Sequence, residues 1–252
     1  MARNATYSDS AGRDHEGLVG FWGEWEGPSF ARKIDSFCTD GPTLCHVPAF
    51  YEPASFEGLL DTDPFVFGDR FLYCGCQQHT CHHRAGGAVE TFLRRLATGS
   101  LVLFGSAVSG RFVLDTALVV GDHTDYRNGD FGGLAGLVPD LYYPISLRPQ
   151  WTGNQTCDSF RLYRGATRAE SAGRMFSFTP CRPFALRGFA RPQIVLPGVV
   201  TEGLTQGKKM TAAAGIGDVE RAWDSVVGQV LSQGCSLAHR VELAPVSVAA
   251  GR

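Results

Sequence analysis

The densest chemistry in the chain is the run Cys74-Gly75-Cys76-Gln77-Gln78-His79-Thr80-Cys81-His82-His83, which gathers thiols and imidazoles within ten residues. Zinc takes four such ligands in a tetrahedron. Cys74 and Cys76 can share one ion if Gly75 lets the backbone fold between them. Cys81 with His82 completes the expected set, with His79 and His83 as substitutes for the imidazole. A site of this kind is expected to be structural and closed rather than catalytic, and zinc is the cofactor expected there. Cys38 and Cys45-His46 form a smaller group further off, while Cys157, Cys181 and Cys235 stand alone and read as small buried side chains.

A second constellation is aromatic and acidic. Phe21-Trp22-Gly23-Glu24-Trp25-Glu26-Gly27-Pro28 interleaves indole rings with carboxylates. An extended chain puts Trp22, Glu24 and Glu26 on one side and Phe21 and Trp25 on the other. An indole face stacks on a base or sugar, and a carboxylate beside it accepts from a base edge or acts as general acid. Asp115 is the third acidic candidate. It interrupts the apolar strand pattern Phe112 to Val120, where a buried carboxylate needs a partner or a pocket. Glu24, Glu26 and Asp115 are the expected catalytic group. Trp22 and Trp25 are the expected ligand-stacking group.

Arg164, Arg182, Arg187 and Arg191 supply cations that can hold a phosphate or carboxylate. Leu162-Tyr163-Arg164-Gly165 with Phe176-Ser177-Phe178-Thr179 resembles two pieces of the ADP-ribosyltransferase family. The resemblance implies that Arg164 grips dinucleotide phosphates and that Ser177 and Thr179 support a nicotinamide pocket. His123-Thr124-Asp125, with His239 as a distant partner, matches the two-histidine, one-carboxylate set of non-haem iron oxygenases. Leu101 to Phe104 followed by Phe112 to Val120 resembles the central hairpin of small barrels of the PUA type. Such barrels often hold a nucleobase or modified nucleotide.

These residues need elements to position them. Val89, Phe92, Leu93 and Leu96 recur at helical spacing and predict a helix over Gly87 to Thr98, ended by Gly99. Val219, Trp223, Val226, Val227 and Val230 predict a second over Val219 to Gln233, with Asp218 as N-cap and Gly234 as terminator. The rest alternates as strands. Leu101–Phe104 and Arg111–Val120 form one hairpin across Ser106 to Gly110, and Ser159–Tyr163 and Met175–Thr179 a second. Gln193–Val200 is a further strand, and Leu141–Leu147 is an edge strand because of Pro144. The expected fold is a strand-dominated α+β domain, with an antiparallel curled sheet or partly closed barrel and two main helices. Residues 1–16 are polar and read as a mobile tail, with 17–252 as a single domain.

Composition narrows the partners. The 252 residues carry 23 Lys and Arg against 25 Asp and Glu, a formal charge of −2. Extended binding to duplex nucleic acid or to an anionic membrane calls for a basic face that this balance does not provide. No apolar run reaches the ~18 residues of a membrane span, and the N-terminus lacks the apolar core of an export signal. The expected setting is cytoplasmic, where eight cysteines are thiols or metal ligands before they are disulfides. Together these features point to a pocket for a small molecule, a nucleotide or modified base, with hydrolysis or transfer at a glycosidic bond as the attached chemistry. A zinc-stabilised interaction module, an iron oxygenase and an ADP-ribosyltransferase-like enzyme are the alternatives.

Overall fold

The computed structural model describes residues 1–23, 31–36, 46–51, 62–76, 78–82, 87–153, 157–183, 188–198 and 215–247, without the side chains of 31–36, 46–49, 51, 80–82, 87–88, 151–153 and 246–247. In chain order the strands are β1 (Ala2–Ser8), β2 (Asp14–Phe21), β3 (Ala31–Ser36), β4 (His46–Tyr51), β5 (Leu72–Tyr73), β6 (His79–His82), β7 (Gly87–Glu90), β8 (Leu101–Val108) and β9 (Arg111–Arg127). After helix α1 (Arg148–Gly153) come β10 (Ser159–Gly165) and β11 (Thr179–Pro183), then helix α2 (Ile216–Ser232), β12 (Ser236–Val241) and β13 (Val246–Ser247). The fold is α+β and strand-dominated. Strands β1, β12, β11 and β2 close into a barrel, and β5, β10, β9 and β8 form a second sheet. Pairing among the described strands is antiparallel except between β13 and β4. Among the described residues no helix is long and apolar enough to cross a membrane.

The N-terminal segment is not a tail. β1 runs antiparallel to β2 from Ala2↔Gly20 to Ser8↔Asp14 and to β12 on its other edge. The polar residues that suggest disorder form the turn instead. Asp9 accepts from the backbone N–H groups of Ala11 and Arg13 and from the Arg13 guanidinium. Ala2, Ala5 and Ser8 are buried, a spacing of three that hides the strand from a period-two search.

Strand β9 carries both Asp115 and Asp125. Its first half pairs with β8 and its second with β10. The β8–β9 hairpin turns tightly through Ser109 and Gly110, both at positive φ, the twist that suits a two-residue hairpin turn. Two bulges break β9. Phe104 faces Thr116 while Gly105 faces Leu114, so Asp115 is the extra residue. Arg164 faces Asp122 while Gly165 faces Val120, so Gly121 is the second. The bulge at Asp115 explains why strict alternation fails: Leu114 joins Ala117 and Val119 under α2, whereas Leu118 and Val120 enter the other core.

Helix α2 covers that first face with Trp223, Val226 and Val230, each contributing roughly 1.5–3 kcal/mol by burial. It begins three residues earlier than its apolar stripe, capped by Gly215, so Asp218 lies inside its first turn. Gly234, at φ +73°, ends it as expected.

The other elements differ more. Gly87 to Thr98 holds β7 and a single 3₁₀ turn at Phe92–Arg95, with Val89 and Phe92 exposed. Pairing with β6 and the hydroxyl of Thr91, which accepts from the Leu93 N–H, override the helical spacing. Tyr143–Leu147 is a π-helical turn leading into α1, because Pro144 sits at its start, where no N–H is needed. β10 pairs with β5 and β9, and β11 with β2 and β12, so the second hairpin does not form. The segment after Arg191 makes one bridge, Gln193 to Val113, rather than a strand.

Candidate functional site

Four of the residues singled out by type meet where the end of β2, the first half of β9 and the 188–198 segment converge. Trp22 follows the last residue of β2 and is half-buried, and its indole N–H donates to the Phe189 carbonyl at 2.9 Å. The Arg191 guanidinium lies over the Trp22 ring, 5.1 Å from its centroid. The same guanidinium donates through Nη1 to both carboxylate oxygens of Asp115, at 3.2 and 3.0 Å, and to the Ser106 hydroxyl at 2.8 Å. Arg182, from β11, lies over the Phe189 ring at 5.3 Å and donates to the Gln233 carbonyl at 2.7 Å.

Local structure accounts for this arrangement. The bulge in β9 aims Asp115 away from the regular alternation, and its side chain is only 2% exposed. Gly105 opposite it allows the close approach: a Cβ there would sit 2.0 Å from the Val113 carbonyl oxygen. Thr179 donates to the Asp115 carbonyl at 2.7 Å, tying the bulge to the barrel. Asp115 is therefore placed to fix Arg191 rather than to meet a substrate. Arg191, held by Asp115 and Ser106, keeps its plane against Trp22. Ser106 and Phe189 carry no type signal in the sequence. They complete the group through backbone position, which spacing does not reveal.

The remaining sequence candidates fall elsewhere. Arg164 donates to Asp122 at 2.5 Å, beside Arg70, which also pairs with Glu170. Ser177 is buried, accepting from the Val119 N–H at 3.0 Å and lying 3.2 Å from the Val119 carbonyl, to which it donates. Among the described residues no hydrogen bond, ion pair or ring contact joins Arg164 or Ser177 to Trp22, Asp115, Arg182 or Arg191. Glu24, Trp25 and Glu26 lie outside the described residues, as do His83 and Arg187.

At the cysteine run, the backbone N–H groups of Cys74, Gly75 and Cys76 all point to the Asp63 carboxylate, at 2.8–3.2 Å. The backbone through Gly75 is thus wrapped around an aspartate. Cys74 is fully buried, with its thiol 3.8 Å from Gln150 Oε1, which also accepts from the Tyr126 hydroxyl. Cys76 is half-buried, and Cys81 and His82 lie in β6 with their side chains outside the described set. Among the described residues no group of three or more His, Cys, Asp or Glu side chains is placed to hold a metal.

The iron set does not assemble either. Asp125 is gripped by Arg94 and Arg161. His239 instead faces Asp14 at 3.5 Å and packs edge-on against Phe176. Asp14 also takes a hydrogen bond from Ser8 and an ion pair from Arg168. Burial pushes the His239 pKa below the ordinary histidine value, against the opposing pull of Asp14. As pH falls below about 6.5 the unfolded chain therefore binds the proton first. The stability contributed by the neutral ring is complete above that pH and declines below it. His79 shifts in the same direction, also through burial. Urea midpoints are expected to fall between about pH 7.5 and 5.5, and His239→Leu is expected to lessen that fall. An unchanged pH dependence in the variant would contradict the assignment.

Comparison with protein-family models, curated proteins and solved structures finds no match to this chain.

Proposed function

We propose that the Trp22–Arg191–Asp115 group is a seat for a small planar ligand of the nucleotide or modified-base class. The observation that carries this is the guanidinium of Arg191, stacked on an indole and held from behind by a carboxylate that is almost fully buried. A free surface arginine samples many rotamers, but one fixed in this way has already lost that freedom and adds little ordering cost on binding. Indole and guanidinium planes both accept the face of a base. Arg182, linked through Phe189, adds a second cation for a phosphate. The overall charge of −2 fits recognition of one nucleotide better than of a polymer.

A thermal-shift panel of nucleosides, nucleotides and NAD tests the proposal. A ligand at about 100 times its Kd stabilises by about 2.7 kcal/mol, which raises Tm by roughly 5–10 °C in a chain of this size. Arg191→Lys keeps a cation for Asp115 but loses the plane, and is expected to weaken binding about tenfold. A panel without any stabilising member would remove the proposal.

A further inference from the structure

The strap that carries Phe189 and Arg191 lies between β9 and α2. On one side the Leu114 N–H donates to the Pro192 carbonyl at 2.9 Å and the Ile194 N–H to the Phe112 carbonyl at 3.0 Å, which lays the strap antiparallel on β9. Successive residues of an extended chain turn their backbone groups to opposite edges. Those of Gln193 and Val195 therefore face α2, where two side chains take the place of a neighbouring strand. The Gln193 N–H donates to Oε1 of Gln233 at 2.9 Å, and Nε2 of Gln233 donates back to the Gln193 carbonyl at 2.9 Å. Val195 exchanges the same pair with Gln229, at 2.8 and 3.1 Å. Four helical residues rise about 6 Å and two extended ones about 6.6 Å, so amides one turn apart meet alternate residues of the strap.

This double pairing admits one register. A slip of one residue would turn every strap side chain to the opposite face. A slip of two keeps the faces but meets a proline in either direction. Moved one way, Pro192 takes the place of Ile194 and has no N–H for the Phe112 carbonyl. Moved the other way, Pro197 takes the place of Val195 and has no N–H for Gln229. Either slip would carry Arg191 about 6.6 Å along β9, out of reach of Asp115 and Ser106. Gln233 also holds the second cation, because its backbone carbonyl accepts from Arg182 at 2.7 Å.

We propose that Gln229 and Gln233 are positioning residues of the ligand seat, clamping the strap in the register that brings Arg191 to Asp115 and Trp22. Their role toward a ligand rests on the reading of that group as a seat; the clamp itself belongs to the unliganded chain. The test follows the Trp22 Nε1–H and Arg191 Nε–H NMR signals of the full-length chain without ligand. Gln229→Met with Gln233→Met keeps both apolar stems and leaves the buried face of α2 untouched. Both signals are expected to shift, and the Gln193 and Val195 amides to exchange about tenfold faster. Gln233→Glu supplies a pH profile. Its carboxylate accepts from the Gln193 N–H but cannot donate to the Gln193 carbonyl, so both signals shift at pH 7. Protonation below about pH 4.3 restores the donor, and the signals are expected to return to those of the unsubstituted chain at the same pH. A packing role would not follow that titration. Unshifted signals in the double Met variant would overturn the proposal, as would a Gln233→Glu shift that persists unchanged to pH 4. These readouts need no ligand, so a nucleotide panel without a stabilising member removes the seat and leaves the clamp to be judged by its own signals.

Discussion

Replacing Arg191 with methionine is expected to cost about 3–5 kcal/mol of stability, roughly 10 °C in Tm. Methionine keeps the apolar stem against Trp22 and removes the charge. The Asp115 carboxylate, 2% exposed, then loses the guanidinium that faces it through both oxygens. The reverse change, Asp115→Leu, is expected to cost less, because Arg191 is 24% exposed and reaches water. Asp115→Leu combined with Arg191→Met is expected to recover much of the loss, since a well-packed apolar pair often matches a buried ion pair. Urea unfolding of the single and double variants measures the coupling. If the double variant loses the sum of the two singles, the two side chains do not act as a unit. The indole emission of Trp22 offers a local readout, because the cation stacked on its ring would be gone.

This pair also shows how far the sequence could be read. A lone aspartate inside Phe112 to Val120 stands out by type, and its need for a partner follows from burial alone. Its partner lies 76 residues away, and nothing local in the chain connects them. The strand-dominated α+β class was legible because turn residues and alternation are local signals. α2 was legible because its stripe, Val219 to Val230, spans about three turns. The 87–98 segment misled because four apolar residues at helical spacing are too few to outweigh pairing with β6, and Gly87 opens the stretch as a strand. The N-terminal strands were missed because each is polar on the face turned to solvent and the Asp9 turn is rich in charge. In the cysteine run, types alone suggest ligands, while the structure shows three backbone N–H groups converging on Asp63, a role that no side-chain pattern encodes.

Gly105→Ala is expected to destabilise by about 3 kcal/mol, the upper part of the range for overpacking. The added methyl would lie 2.0 Å from the Val113 carbonyl oxygen and 2.8 Å from the Phe112 ring. The ring can rotate away, but the carbonyl belongs to the ladder between β8 and β9 and can move only if the strands part. What gives way is the bulge, and the bulge is what aims Asp115 at Arg191. The substitution therefore reaches the candidate site without touching it. Loss of stability should be accompanied by a changed Trp22 emission and by weaker binding of any ligand seated there. Gly228→Ala is the matched control. It lies on the exposed face of α2, where a Cβ meets nothing within 4 Å, and alanine in a helix interior is expected to stabilise by about 1 kcal/mol. Opposite signs for one methyl group at two glycines would separate close backbone approach from a general effect of glycine replacement. Equal, small effects at both would mean that the β8–β9 ladder absorbs the methyl and that the bulge does not constrain Asp115.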